Sequence, residues 1–429
     1  MRNNTAQFKF KPFSDQQIRL ISWWLPDSPH SDNDIVMADG SIRAGKTVAM
    51  INGFLDWSLA EFEDENFIIA GKSMGALTRN VINPMKKILN AKGIQYNHVR
   101  STEEPRLEIG TNYYYLFGAN NVSSKDTLQG LTAAGSLADQ VELFPENFVN
   151  EMVGRCSVED SKHWWNSNPE GPFHWLKKEW IDEKENKNIY YLHFTMKDNL
   201  TLSQKIIDRY KRLYSGIFYD RYILGKWVKA EGIIYNTFTD DNLVDFADIP
   251  KHKKEWIGVD YGTANDTVFV LIRLGDDNKL YIADEWRYGA KNDGQPKDDT
   301  QLRVELQEFI KRNNAHPEWI LIDPSAKSFI TELYHHRNEF EAFYKVSKAN
   351  NTVLDGIRRV SSLLHNNVLL VNRDLEKLQE EFHSYSWDPK AQERGEDKPI
   401  KKYDHGLDAA RYIINSNQRI VKMVLSKST

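Results

Sequence analysis

At 429 residues, with 40% hydrophobic and 27% charged residues, the chain has the composition of a soluble globular protein and exceeds what one hydrophobic core serves, so two domains are expected. The formal net charge of −5 offers no global attraction for nucleic acid, and any DNA contact must come from local basic surface. A lone Cys156 excludes an internal disulfide and suits a reducing cytosol, while no stretch approaches the ~20 apolar residues that span a bilayer. The segment from Met1 to Phe13 is polar and basic and has no apolar signal region.

In chain order, Ser14 reads as the cap of a helix that carries Gln16 and Gln17, whose amides would alternatively read adenine. Ile35-Val36-Met37-Ala38 reads as a buried strand and Val48 to Ala60 as a helix. Between them lies Gly40-Ser41-Ile42-Arg43-Ala44-Gly45-Lys46-Thr47. Strand, glycine turn and helix is the context in which backbone N–H groups and a helix N-terminus cradle phosphate. Lys46 would then reach the β/γ-phosphates of ATP and Thr47 would ligate Mg²⁺. Arg43 is either a surface arginine or a finger that leans on the γ-phosphate from within the same chain.

Asn66 to Ala70, Tyr113 to Gly118 and Gly135 to Asp139 read as further strands, so residues 1–231 are expected to form a P-loop domain with a parallel sheet and helices on both faces. Asp139 would hold the Mg²⁺ shell. The next position, which calls for a glutamate to orient the attacking water, is Gln140, with Glu142 two residues on. Either a glutamate-to-glutamine change traps ATP or Glu142 has taken over. Along an extended strand two residues lie several ångströms apart, which favours trapping. Asn166-Ser167-Asn168-Pro169 is either a turn or a γ-phosphate sensor. Lys205 to Lys229 interleaves basic residues with aromatics, as a nucleic-acid groove or as an ordinary helix with a solvated face.

Residues 232–253 carry little periodicity and read as a linker. From Trp256 the pattern becomes three strands joined by short turns, then alternating helices and strands, with a last helix from about Asp404 to Asn415. This is the order of a ribonuclease H-like fold, expected over 254–418. Residues 388–402 read as a mobile loop and 419–429 as a basic tail. First and fourth strands are adjacent in such a sheet, which brings Asp260 and Asp323 together, and the last helix would deliver Asp408 beside them. Converging carboxylates repel unless divalent cations hold them, so two Mg²⁺ or Mn²⁺ are expected there for phosphodiester cleavage. Asp404 is a cap or a further carboxylate, His405 a proton shuttle or an ordinary helix-start residue, and Glu285 a weaker candidate.

Several stretches together resemble the large subunit of tailed-phage terminases, the PBSX-type branch in particular. They are Ala38-Asp39-Gly40-Ser41, Leu128-Gln129-Gly130-Leu131-Thr132, Asn168-Pro169-Glu170-Gly171-Pro172-Phe173-His174-Trp175, Gly225-Lys226-Trp227-Val228, Val259-Asp260-Tyr261-Gly262-Thr263, Ile322-Asp323-Pro324-Ser325-Ala326 and Asp404-His405-Gly406-Leu407-Asp408-Ala409-Ala410-Arg411-Tyr412. The resemblance implies a motor that packages double-stranded DNA into a procapsid and a nuclease that cuts the concatemer. It makes Asn166 to Pro169 a coupling motif, places a lid subdomain near 186–231 and supports Asp260, Asp323 and Asp408 as metal ligands. It also implies a small terminase subunit, a portal protein, a homo-pentamer on the portal from a monomer in solution, and work in the host bacterial cytoplasm with transient docking at the portal vertex. Gln140 departs from the family pattern. A helicase-like or repair ATPase with an attached nuclease needs a second ATPase core, and no second phosphate site follows residue 230; an ATP-gated DNA-binding scaffold is the other alternative.

Overall fold

The computed structural model describes residues 12–262, 266–289, 295–337, 345–402 and 404–427. The polar N-terminal segment up to Lys11, Thr263 and the last two residues of the expected tail lie outside the described residues. The chain divides into two compact units. Residues up to Asp208, with Tyr219–Lys229 and Arg394–Glu396, form the first; Arg209–Phe218, Ala230–Glu393 and the residues from Asp397 form the second.

The first unit is built on an eight-stranded sheet of β1 (Ile35–Gly40), β2 (Asn66–Gly71), β3 (Tyr96–Val99), β4 (Arg106–Ile109), β5 (Asn112–Gly118), β6 (Gly135–Asp139), β7 (Lys162–Asn166) and β8 (Ile189–Phe194). Its order is β3-β4-β5-β2-β6-β7-β1-β8. Pairing is parallel from β5 to β8 and antiparallel at β3-β4-β5. Both faces are covered, so central strands read as continuous apolar runs. Val36, Ala38, Phe67, Ile69 and Trp164 enter one core, and their neighbours Ile35, Met37, Ile68, Ala70 and Trp165 enter the other.

The second unit holds a seven-stranded sheet of β9 (Leu243–Val244), β10 (His252–Asp260), β11 (Thr267–Gly275), β12 (Leu280–Tyr288), β13 (Trp319–Ile322), β14 (Val346–Lys348) and β15 (Leu369–Asn372), in the order β14-β13-β10-β11-β12-β15-β9. β10, β11 and β12 form an antiparallel meander, and β13 lies parallel to β10 with Val259 opposite Ile322. That register sets Asp260 and Asp323 side by side at the ends of adjacent strands.

Four expectations need correction. Residues 232–253 are not a free linker: β9 joins the second sheet beside β15, and Asn242 is buried with its amide donating to Leu364 O at 3.0 Å. The stretch 186–231 is not one lid, because Ile189–Phe194 is a sheet strand paired with β1 and Arg209–Phe218 belongs to the second unit. Residues 388–402 are pinned, with Asp388 N bonded to Lys398 O at 2.8 Å, Ile400 N to Ser386 O at 2.9 Å and Ala391 fully buried. The basic tail is a helix, Gln418–Lys427, that buries Val421, Val424 and Leu425 at helical spacing.

The helix His405–Ser416 lies on the second sheet at β10, β11 and β13. Gly258 permits this close seating: a Cβ there would stand 2.0 Å from Ala409 O. Gly258→Ala is therefore expected to cost about 1–3 kcal/mol through overpacking, a fall of a few degrees in the melting transition of the second unit. Differential scanning calorimetry of the full chain checks this, and an unchanged transition would mean that the helix is not seated there.

Candidate nucleotide and acidic sites

The phosphate-cradling loop follows β1. Gly40 has φ +127°, and a Cβ there would meet Phe194 O at 2.1 Å, so only glycine lets β1 turn away against β8. The helix Lys46–Glu61 starts inside the loop, and its first-turn N–H groups, which lack intrahelical partners, form an anion-binding end. One residue before the loop, Asp39 is fully buried. It accepts hydrogen bonds from Ser167 Oγ at 2.7 Å, Tyr191 OH at 2.6 Å and Trp227 Nε1 at 2.9 Å. The loop is thus anchored from β7, from β8 and from the 219–229 segment.

Lys46 Nζ donates to Gly40 O and Ser41 O, both at 2.8 Å, and to Asn168 Oδ1 at 3.1 Å. Asn168 Nδ2 donates in turn to Glu142 Oε1 at 3.2 Å. Burial holds the Lys46 ammonium below its ordinary range and the Glu142 carboxyl above it. Thr47 Oγ1 donates to Asp139 Oδ1 at 3.1 Å, and Asn166 Nδ2 donates to the same oxygen at 2.7 Å. Asn166 Oδ1 accepts from Gln140 N at 2.9 Å. The two asparagines of Asn166-Ser167-Asn168 therefore serve the two halves of one site.

The chain does not run on extended after Asp139. Gln140 adopts a left-handed backbone, φ 61° and ψ 55°, and Val141–Leu143 forms a 3₁₀ turn. This turn, invisible to an argument from strand spacing, carries Glu142 to Asn168. Arg43 is exposed, with φ +60° and its carbonyl accepting from Asn199 Nδ2 at 2.7 Å. Gln17 does not present an open amide pair. Its Nε2 donates to Gly45 O at 3.2 Å and its Oε1 accepts from Ser14 N at 3.1 Å, so it braces the loop while completing the Ser14 cap.

In the second unit, Asp260 and Asp323 share one donor: Tyr412 OH lies 3.2 Å from Asp260 Oδ1 and 2.6 Å from Asp323 Oδ2. His405 Nδ1 stands 2.8 Å from Asp260 Oδ2. Burial raises the Asp260 carboxyl above its usual range. It also works against ionising Asp323, but hydrogen bonds from Ser325 and Tyr412 outweigh it and leave that carboxyl low. The charge of Asp408 also helps to raise the Asp260 carboxyl, although Asp408 has partners of its own. It pairs with Arg411 Nη2 at 2.7 Å and Lys401 Nζ at 3.3 Å, because Arg411 is itself buried and needs a counter-charge. Asp404 is 5% exposed, its Oδ2 lacks a hydrogen-bond partner among the described residues, and burial followed by Asp408 pushes its carboxyl up to about 6. Among the described residues no group of three His, Cys, Asp or Glu is gathered closely enough to hold a metal ion. Glu285 pairs with Arg287 at 3.2 Å, and Arg287 with Glu381 at 2.6 Å. Glu381 Oε2 then accepts from Leu407 N at 3.0 Å at the N-terminus of the helix that carries His405.

The model of the N-terminal part of the T4-like terminase large subunit matches residues 37–239. The large terminase of a thermophilic bacteriophage superposes with a TM-score of 0.86 at 44% identity, over 95% of this chain and 100% of that one. The chain belongs to the tailed-phage terminase large subunits. A second structure of that thermophilic phage's large terminase, in complex with ATP-gamma-S, superposes with a TM-score of 0.83 at 42% identity over the same shares. The terminase large subunit of Escherichia phage T5 is 23% identical over 243 residues, 54% of this chain and 52% of that protein, so the chain spans about half the length of that curated relative.

Two residues of this large terminase escape a sequence reading. Tyr412 lies seven positions after His405 on the same helix face, a spacing that was available but pointed equally to core. Asp39 precedes a glycine as any turn residue does. Glu142, the alternative to Gln140 in the sequence, owes its place beside Asn168 to the 3₁₀ turn.

His405 titrates above its ordinary range, first because Asp260 accepts its Nδ1 proton. The stabilisation from this pair is fully present below about pH 6.5, the unperturbed value, and is lost as pH rises through the raised folded value. Asp260→Asn is therefore expected to lower the His405 titration midpoint. Histidine-ring NMR with His405→Gln for assignment checks this, and an unmoved midpoint would rule the pair out.

Proposed function

We propose that this large terminase is a DNA-packaging motor with two activities. The first unit is a P-loop ATPase that drives double-stranded DNA into a procapsid, and the second is a ribonuclease H-like, metal-dependent endonuclease that cuts concatemeric DNA. The observation that carries the reading is the contact of Thr47 Oγ1 with Asp139 Oδ1 at 3.1 Å, which joins the phosphate loop to the strand-end carboxylate a nucleotide-bound Mg²⁺ requires. The thermophilic phage protein's complex with ATP-gamma-S supports it. Thr47 and Asp139 would hold Mg²⁺ beside ATP, and Lys46, freed from Gly40 O and Ser41 O, would carry its charge to the β/γ-phosphates.

For the nuclease, Asp260 and Asp323 fit Mg²⁺ or Mn²⁺ as hard oxygen donors at neighbouring strand ends, with Tyr412 as their common hydrogen-bond donor. Asp408, held by Arg411, and Asp404, whose Oδ2 lacks a hydrogen-bond partner among the described residues, are the two candidates for a third carboxylate. Bound cations supply activated water and stabilise the leaving oxygen. In this chain Glu381 fixes the helix start, the helix fixes His405, and His405 holds or releases a proton at Asp260. From the sequence resemblance we further propose a PBSX-type terminase, a small terminase subunit and a portal protein as partners, five copies on the portal from a monomer in solution, and action in the host bacterial cytoplasm with transient docking at the portal vertex.

The test measures ATP turnover and supercoiled-plasmid nicking on the full chain, with Mn²⁺ and with EDTA. Lys46→Ala should lower turnover by about 10²–10³ while leaving nicking intact, and Asp323→Asn should do the reverse. Turnover indifferent to Lys46→Ala would overturn the motor assignment. Nicking that survives EDTA or Asp323→Asn would overturn the nuclease.

A further inference from the structure

Hydrolysis of ATP at a phosphate loop calls for a group that orients the attacking water and takes its proton, and the residue after Asp139 is an amide that cannot accept one. Gln140 is also placed by its backbone: its N–H is bound by Asn166 Oδ1 at 2.9 Å and its φ is +61°, a conformation that costs a non-glycine residue about 1–3 kcal/mol. What this strained turn achieves is the delivery of the next acid. Glu142 is 5% exposed. Its Oε1 accepts from Asn168, whose own carbonyl accepts from Lys46 Nζ at 3.1 Å, so the carboxylate is one side chain removed from the phosphate-binding ammonium. Its Oε2 is buried and lacks a hydrogen-bond partner among the described residues. An acid buried without its full set of donors is costly. A position beside the phosphate loop gives that cost a use, since the open oxygen is free to take a proton.

We propose that Glu142, and not Gln140, is the proton acceptor for ATP hydrolysis in this chain, an assignment that rests on the P-loop ATPase reading above. Water oxygen forms a bond to the γ-phosphorus as the bond from that phosphorus to the β,γ-bridging oxygen breaks. The bridging oxygen keeps the electron pair and leaves on ADP. The water proton passes to Glu142 Oε2 and then to solvent as ADP and inorganic phosphate depart. Asn168 holds the other carboxylate oxygen throughout and keeps Glu142 aimed at the loop. Burial pushes the Glu142 carboxyl up to about 8, so its ionised form, which predominates above that pH, is a stronger base than an exposed glutamate.

The test uses the full chain, steady-state ATP turnover and calorimetric titration with ADP. Glu142→Gln keeps an oxygen for Asn168, so ADP affinity and melting temperature should stay at the parent values while kcat falls by about 10²–10⁴. Glu142→Asp, which retains the acid on a shorter stem, should keep more turnover than Glu142→Gln. Gln140→Glu should leave kcat near the parent value. Parent-like turnover in Glu142→Gln, a rank order in which Glu142→Asp is the slower of the two, or a large rise in Gln140→Glu would each overturn the assignment. A parent chain that neither binds ADP nor turns over ATP would defeat the P-loop reading itself, and this assignment with it.

Discussion

Burying an ionised carboxylate costs several kcal/mol unless donors or cations surround it. Both candidate sites are arranged under that constraint. In the first unit Asp39 meets it with three side-chain donors from three separate segments, Ser167, Tyr191 and Trp227. Because each donor must come to Asp39, the same contacts draw β7, β8 and the 219–229 segment around the phosphate loop. Asp139 meets it with Thr47 and Asn166. Glu142 meets it on one oxygen only. A fully served acid is an anchor, and an incompletely served one is where chemistry finds room.

The second unit applies the same rule with a different outcome. Asp408 is paired with Arg411 and Lys401, and Glu381 with Arg287 and the Leu407 N–H. Asp260 and Asp323 divide a single tyrosine hydroxyl between them, and Asp404 Oδ2 has no partner among the described residues. Asp260 is also served by His405 and Asp323 by Ser325 N, so of these three Asp404 is the one left with an open oxygen. The helix His405–Ser416 carries the groups that serve these acids. Gly258 seats its backbone on the sheet and Glu381 holds its first turn, and together they set His405 and Tyr412 toward Asp260.

Asn166 and Asn168 connect the two sides of the candidate nucleotide site. Two residues apart and leaving β7, they bind different partners: Asn166 reads the Thr47–Asp139 side, and Asn168 reads the Lys46–Glu142 side. An amide both donates and accepts, so Asn168 bridges Lys46 and Glu142 with its two ends. Glu170, two residues further on, pairs with Arg221 at 3.4 Å, and Arg221 also donates to Val228 O at 2.7 Å, which ties the same segment to the 219–229 stretch of the first unit.

The amino-acid sequence by itself determined the parts of this terminase whose signals are local. The phosphate loop, its flanking strand and helix, the meander that opens the second unit, and Asp260 and Asp323 at strand ends were all legible, since glycine spacing, apolar runs and turn residues act over a few positions. Tertiary structure decided what depends on distant partners. The strand at Ile189–Phe194 owes its place to β1, and the 232–253 stretch owes its order to β15 and Leu364. Asp408 and Asp404 sit on the same short stretch and look alike in sequence, yet the buried Arg411 claims the first while the second goes without a partner on Oδ2 among the described residues. One left-handed residue, Gln140, and one 3₁₀ turn carry Glu142 to Asn168. Periodicity can report which residues share a strand or a helix face. It carries no information about which charge a folded chain will bring to meet another, because that is set by desolvation across segments far apart in sequence.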